Sequence, residues 1–383
     1  MIAQSLPGSG NTITFNGATT YINCGTADRG ISKTPITAEA WIKTSSSAIQ
    51  FAVTKYFNSL FSESGFQLGT SGGQVGIFGR VGFGIYLYSG FSTTFVNDGR
   101  WHHIAGQVEG NIWRIYVDGV LENRNIYTYI VGDLHSPEPM TIGADTYLCS
   151  FFFNGEIDEI RVWRTARSQA EIRDNMCRKF VTAPADLMAY YRLDQASGAT
   201  SIDHGSVPTN GSLINLSNTS WHLSGAPLGD ASVYSYQTAG PASSRVALVT
   251  ATGDSAITHS ISVSVQGVQL YVVNSAPTIP PPSAGSNSYV GVFTIGGTPA
   301  ICTFALRLRH GSGLACRSAF TRLSNELAWA LPATQLSTTA TALLVTTALY
   351  RGKYILTPDV AVPATITGDS LICASTRTQL SVA

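Results

Sequence analysis

Charge is scarce in this chain. Lys plus Arg and Asp plus Glu number 23 each among 383 residues, 12% in all, and they cancel to zero. Without a positive excess there is no basic stripe for a nucleic-acid backbone, and nothing to draw the chain to an anionic membrane surface. No apolar run approaches the roughly 20 residues that cross a bilayer, so no membrane insertion is expected. Met1-Ile2-Ala3-Gln4-Ser5-Leu6-Pro7 has neither a charged n-region nor an apolar h-region, so it does not read as a signal peptide. Ala3-Gln4 before Ser5 reads as the small-residue end of a leader already removed, and a secreted or cell-surface location is expected; a plain cytosolic start is the alternative. The six cysteines include no Cys-x-x-Cys pair, which argues against zinc and redox centres. His-Glu-x-x-His and phosphate-loop patterns are also missing.

What is present is strand-forming. Hydrophobic residues make up 44% of the chain, and 37 glycines punctuate it at short intervals. In Ile36–Lys43, Ile36, Ala38, Ala40 and Ile42 share one face while Glu39, Trp41 and Lys43 share the other. Trp101–Val108 and Ile112–Val117 read as paired strands closed by Asp118-Gly119, a strong hairpin signal because the turn needs positive φ. Further short strands are expected at Asn11–Phe15, Thr20–Cys24, Gly65–Leu68, Val75–Phe78 and Ile85–Tyr88. Ser168-Gln169-Ala170-Glu171 is a capping box opening one short helix to about Met176. Short strands at this spacing indicate a sandwich rather than βαβ units.

The segment Trp101-His102-His103-Ile104-Ala105, the run Tyr116-Val117-Asp118-Gly119 and the later Gly155-Glu156-Ile157-Asp158-Glu159-Ile160-Arg161-Val162-Trp163 stand in an order that closely resembles laminin-G-like domains of the concanavalin-A-like lectin/glucanase superfamily. The resemblance covers about residues 8–222 and implies a jelly roll that binds rather than catalyses. The expected architecture is all-β, with tandem β-sandwiches. Residues 5–228 would form the laminin-G-like jelly roll with one short helix, and 229–357 a smaller antiparallel sandwich. Residues 358–383 would be a linker and the start of a truncated immunoglobulin-like repeat, leaving Cys373 without its later partner. In the second module Ile257–Val265 alternates cleanly and is expected as a strand, as are Val268–Val273, Tyr289–Ile295, Thr303–Leu308, Ala342–Thr346 and Lys353–Leu356. Cys302 and Cys316 flank a compact segment and are expected to form a disulfide, while Cys24, Cys149 and Cys177 leave one thiol over in the first domain.

Retaining glucanases of the superfamily carry Glu-x-Asp-x-x-Glu or Glu-x-Asp-x-Glu on one strand, whose carboxyls must share a face about 5–5.5 Å apart. Here Glu156 and Asp158 share a face, Ile160 and Arg161 stand where the second glutamate belongs, and Glu159 is expected on the opposite side. No catalytic residue is assigned. The resemblance also implies one structural calcium ion at Asn16, Gly17 and Asp158, a weak set with one carboxylate; Asn58 and Asp145 could contribute to a second loop site. His102 and His103, neighbours on a strand, must diverge, one hydrogen-bonded inside the sandwich and one near the surface. Loop-rich aromatics offer better material for recognition, with Tyr86 and Tyr88 on one strand face, then Tyr56 and Tyr147, as ligand contacts. The function expected is non-catalytic extracellular recognition or adhesion, binding a glycan or glycoprotein from within a longer bacterial secreted or surface protein with neighbouring modules. A structural spacer or self-associating subunit of an adhesin or filament is the alternative, and a glycan-cleaving enzyme a remote one.

Overall fold

The computed structural model describes residues 8–58, 63–81, 85–128, 133–145, 150–236, 246–250, 253–262, 264–282, 287–297, 304–309, 317–331, 335–339, 342–346, 348 and 350–358. The chain divides into two compact units, the first formed by Gly10–Met176 with Phe180–Ala226. The second takes the described residues from Pro227 onward, together with residues 8 and 9 and Cys177–Lys179.

The first unit is a jelly-roll sandwich of two eight-stranded antiparallel sheets. One sheet orders Val120–Ile126, Ile112–Val117, Trp101–Glu109, Ile36–Lys43, Asn154–Trp163, Asn11–Asn16 and Trp221–Leu223, with Leu187–Tyr191 also on Asn154–Trp163. The other orders Thr200–Ser201, Gly211–Ile214, Tyr21–Asn23, Thr141–Ile142, Gln50–Asn58, Glu63–Ser71, Gln74–Val81 and Ile85–Tyr88. Ile36, Ala38, Ala40, Ile42, Ile104 and Ile157 from the first meet Val53, Phe66, Leu68, Ile77 and Leu87 from the second in one core. Each such side chain stabilises the fold by roughly 1.5–3 kcal/mol through burial. Asp118 and Gly119 have φ of 49° and 74°, the two left-handed residues of a type I′ turn. This corrects the expected hairpin: Asp118-Gly119 joins Ile112–Val117 to a third strand, Val120–Ile126, while Trp101–Glu109 turns into Ile112–Val117 at Gly110-Asn111. The sequence pattern did not disclose the third strand because its residues are mostly half-exposed and polar.

The helix Gln169–Asn175 begins as expected: Ser168 caps it, with the Glu171 carboxylate accepting from the Ser168 backbone N–H at 2.8 Å. Ile172 of the helix packs on Ala105 and Tyr116, so the helix lies against the outer face of the first sheet.

The second unit is also an antiparallel sandwich, of two five-stranded sheets. One orders Ala231–Tyr236, Gly267–Val273, Tyr289–Ile295, Arg351–Pro358 and Arg317–Arg322; the other Ala247–Val249, Ser255–His259, Ala305–Arg309, Ala342–Val345 and Gln335–Thr339. Leu270, Val292, Leu306, Val345 and Tyr354 are central to its core. The expected strand Ile257–Val265 is corrected to Ser255–His259; the Ile-Ser-Val-Ser alternation continues past the last residue that pairs with Ala305–Arg309. Cys302, Cys316, Cys149 and residues 359–383 lie outside the described residues. Cys24 and Cys177 are both buried thiols, so neither forms the bridge that three first-domain cysteines suggested. Among the described residues no helix is long and apolar enough to cross a membrane.

Candidate functional site

Strand register decides which aromatics leave the core on the second sheet of the first unit. Leu87 is in the core, so its neighbours Tyr86 and Tyr88 point out. Tyr88 opposes Phe78 and Tyr86 opposes Arg80; Phe78 in turn opposes Gln67 on the next strand. The outer face therefore gathers Phe78, Arg80, Tyr86 and Tyr88. The rings of Phe78, Tyr86 and Tyr88 stand 6.0–6.2 Å apart with interplanar angles of 5–27°. Phe91 closes on Phe78 at 5.6 Å, Phe51 on Phe78 at 6.1 Å and Phe151 on Phe51 at 5.7 Å. The Arg80 guanidinium lies 5.7 Å from the centre of the Tyr86 ring.

Glycine makes this arrangement possible. A Cβ on Gly76 would come within 2.7 Å of the Phe78 ring, and one on Gly69 within 2.6 Å of the Phe51 ring. Both rings recline over bare backbone, and the tyrosines stand beside them. The edge strand is held in place from the other sheet: Tyr127 Oη accepts from Tyr88 N at 2.9 Å and donates to Tyr88 O at 2.8 Å, and Asn125 Nδ2 donates to the same oxygen at 3.0 Å. A buried polar pair lies beneath the same face, with Gln67 Nε2 donating to Asp145 Oδ2 at 2.8 Å.

The four expected ligand contacts separate. Tyr86 is 49% exposed and Tyr88 half-buried, and the two share a face as expected. Tyr56 opposes outward-facing Gly65 but is only 6% exposed, so it is a supporting residue rather than a contact surface. Tyr147 lies outside the described residues. Phe51, Phe78, Arg80, Gln67 and Asp145 were not anticipated as one cluster, although Gly76-Ile77-Phe78 and the Tyr86/Tyr88 alternation carry part of the signal. Tyr56 stands in the strand Gln50–Asn58 rather than in a loop.

The outer face of the first sheet is sealed instead. Between Asp158, opposite Trp41, and Arg161, opposite Glu39, the strand Asn154–Trp163 contains a bulge, and Glu159 there has φ of 50°. This corrects the expectation that Glu159 faces away. The bulge carries Glu159 to the Arg161 side, where Glu159 Oε2 accepts from Arg161 Nη2 at 2.6 Å and from Tyr190 Oη at 2.5 Å. Glu39 Oε1 accepts from Trp163 Nε1 at 2.7 Å and Glu39 Oε2 lies 3.5 Å from His103 Nε2. Glu39, His103, Glu159, Arg161 and Tyr190 are all buried. Burial pushes the His103 imidazole down to about 4, against the opposing pull of Glu39.

Glu156 borders an open polar groove of about 370 Å³, with Lys43, Ser45, Gly99 and Asn154. Burial works to raise its carboxyl, but hydrogen bonds from His222 and Lys43, at 3.1 and 2.8 Å, outweigh it and hold the group below its ordinary value. A glycosidase acid needs the opposite shift. Glu156 is thus an ion-paired carboxylate and Glu159 a buried one.

Asn16, Gly17 and Asp158 are not brought together. Asn16 opposes Asn154, whereas Asp158 lies four residues further along the same strand, about 13 Å away at strand spacing. Asn16 Oδ1 accepts from the N–H groups of Ala18 and Thr19 at 2.9 Å, and Asp158 Oδ2 accepts from Ser224 Oγ at 2.5 Å. Asp145 is committed to Gln67, and the Asn58 side chain lies outside the description. The two histidines diverge as expected, but both are buried, which corrects the surface placement of one of them. His102 Nδ1 pairs with Asp118 Oδ2 at 2.8 Å and Nε2 with Asp98 Oδ1 at 3.2 Å.

Residues 16–173 match the family model of the concanavalin A-like lectin/glucanases superfamily, so the laminin-G-like reading of the sequence holds over that span. Among solved structures, the chain is similar to a Bacteroides ovatus protein whose proposed role is carbohydrate binding. The identity is 21%, the match covers 53% of this chain and 58% of that one, and the TM-score is 0.43. It is also similar to the CBM40 of the Ruminococcus gnavus IT-sialidase bound to α2,3-sialyllactose, at 16% identity, 43% and 97% coverage and a TM-score of 0.35. Mouse laminin α1 domains LG4-5 match at 13% identity, 98% and 87% coverage and a TM-score of 0.34. No curated protein matches the chain in sequence.

Proposed function

We propose that the first unit is a non-catalytic recognition module that binds a glycan or glycoprotein outside the cell, using the outer aromatic face of its second sheet. The observation that carries this reading is the half-exposed Tyr86 ring, flanked by Tyr88 and Arg80 and backed by Phe78. An aromatic face takes the apolar side of a sugar ring, while a phenol hydroxyl and a guanidinium offer hydrogen bonds to its rim. Burial pushes the Tyr86 phenol up to about 12, so it stays a neutral donor at any physiological pH. The superfamily match supports recognition as the kind of task.

A glycan-array screen of the whole chain, with and without added calcium, tests the reading. Binding that Tyr86→Ala abolishes while the variant remains folded is the expected result. Silence on a broad array under both conditions would overturn it in favour of a structural spacer.

A further inference from the structure

On the outer face of one sheet of the second unit, the strands Arg317–Arg322 and Arg351–Pro358 pair so that Arg322 opposes Lys353. Both side chains are withdrawn from water, the residues being 3% and 2% exposed. Both converge on one amide oxygen: Arg322 Nη2 donates to Asn325 Oδ1 at 2.9 Å and Lys353 Nζ to the same atom at 2.8 Å. Arg322 Nη1 also donates to the Asn325 backbone oxygen at 3.1 Å, and its guanidinium is braced 4.2 Å from the Trp329 ring and 5.6 Å from the Tyr289 ring. On the other side of the amide, Asn325 Nδ2 donates to Ser9 Oγ at 2.8 Å. With cationic donors on one side and a hydroxyl on the other, the orientation of the amide is settled.

We infer that the second unit closes a covalent amide between Lys353 and Asn325. The parts of an acyl transfer are present in their roles. Lys353 Nζ is the nucleophile, and the Asn325 side-chain carbonyl is the acceptor. Arg322 faces the oxygen on which negative charge develops, as an oxyanion donor must. Ser9 Oγ stands at the leaving nitrogen. Attack needs the neutral amine, and burial beside a guanidinium works against a second positive charge there. The amine moves from the edge of Asn325 Oδ1 to the face of Cγ, and the Nζ–Cγ bond forms. The Cγ–Nδ2 bond then breaks, and a proton lost from Nζ reaches Nδ2, with Ser9 Oγ as relay. Nδ2 departs as ammonia. One primary amide and one amine become one secondary amide and ammonia, with no oxidant or cofactor. The product ties together residues 28 apart and replaces a buried amine by a neutral group.

Intact mass and peptide mapping of the purified whole chain test this directly. The expected mass is lower than the sequence mass by one ammonia, with a branched peptide joining Lys353 to Asn325. Lys353→Arg and Asn325→Ala should each restore the full mass, and Asn325→Asp should lose water in place of ammonia. In a refolding time course, Arg322→Gln should slow ammonia release by roughly a hundredfold. Folded wild-type chain that yields Lys353 and Asn325 in separate linear peptides would overturn the inference. So would an ammonia loss that persists in Asn325→Ala, which would mark succinimide formation at an Asn-Gly pair elsewhere. The branched peptide is sought in the wild-type chain, so a variant that fails to fold leaves the test standing.

Discussion

The first unit turns two outer sheet faces away from its core, and they carry side chains of opposite kinds. Beneath the helix Gln169–Asn175 and Phe180 lie Glu39, His103, Glu159, Arg161 and Tyr190, charged or polar and buried. On the partner sheet, where no described helix lies, are Phe78, Tyr86 and Tyr88, with Tyr86 half-exposed. The usual rule of charge outside and aromatics inside is inverted on both. A covered face can hold charges only if each finds a partner, which is why Arg161 meets Glu159 and Glu39. An open face that holds aromatics keeps apolar surface in water, and such surface marks interaction sites. One face is sealed by ion pairs and hydrogen bonds, and the other is the one proposed to take a ligand.

That division is broken most severely by Arg161→Met, which leaves Glu39 and Glu159 buried without their cation. Denaturant unfolding should show a loss of about 3–5 kcal/mol, and a loss below about 1 would mean the network is dispensable. Acid comes next. The folded His103 imidazole is depressed from 6.5 to about 4, so the unfolded chain takes a proton that the folded one refuses. Stability should be full above 6.5 and fall by about 3 kcal/mol as pH drops toward 4. In His103→Gln the urea midpoint should be flat across that window. Asp98 acts in a separate one. Burial tends to raise its carboxyl, but the hydrogen bond and charge of His102, with help from Arg100, hold it at about 2. Its contribution is present above 3.8 and lost as pH falls through 2. A smaller effect is expected at the cover itself: Ser168→Ala removes the helix cap and should cost about 1 kcal/mol by thermal or denaturant melting. Smallest of all is Tyr86→Ala, which should move stability by no more than about 0.5 kcal/mol, since the open face contributes little to folding.

The parts of this design that rest on local pattern were legible in the sequence. Ile36–Lys43 announced its two faces by alternation, Asp118-Gly119 its turn by composition, and Ser168 to Glu171 its helix start by spacing. Tyr86 and Tyr88 fell on one face for the same reason. The bulge at Glu159 left one trace, the three-residue step between Ile157 and Ile160 that both reach the core, and strict alternation read across it put Glu159 on the wrong face. The burial of Tyr56 and of the second histidine was also hidden, since it depends on segments distant in sequence. The same holds for the calcium set: Asn16 and Asp158 sit on paired strands, but only the register reveals that they are four residues out of step.

The central claim is that Tyr86 and its neighbours form a ligand surface that the fold does not need. Titration of the whole chain and its Tyr86→Ala variant with the best glycan from an array, followed by calorimetry, tests it most directly. Saturable binding by the wild-type chain is expected, weakened at least about tenfold in a variant whose melting transition is unchanged. Equal affinity in the two proteins would contradict it.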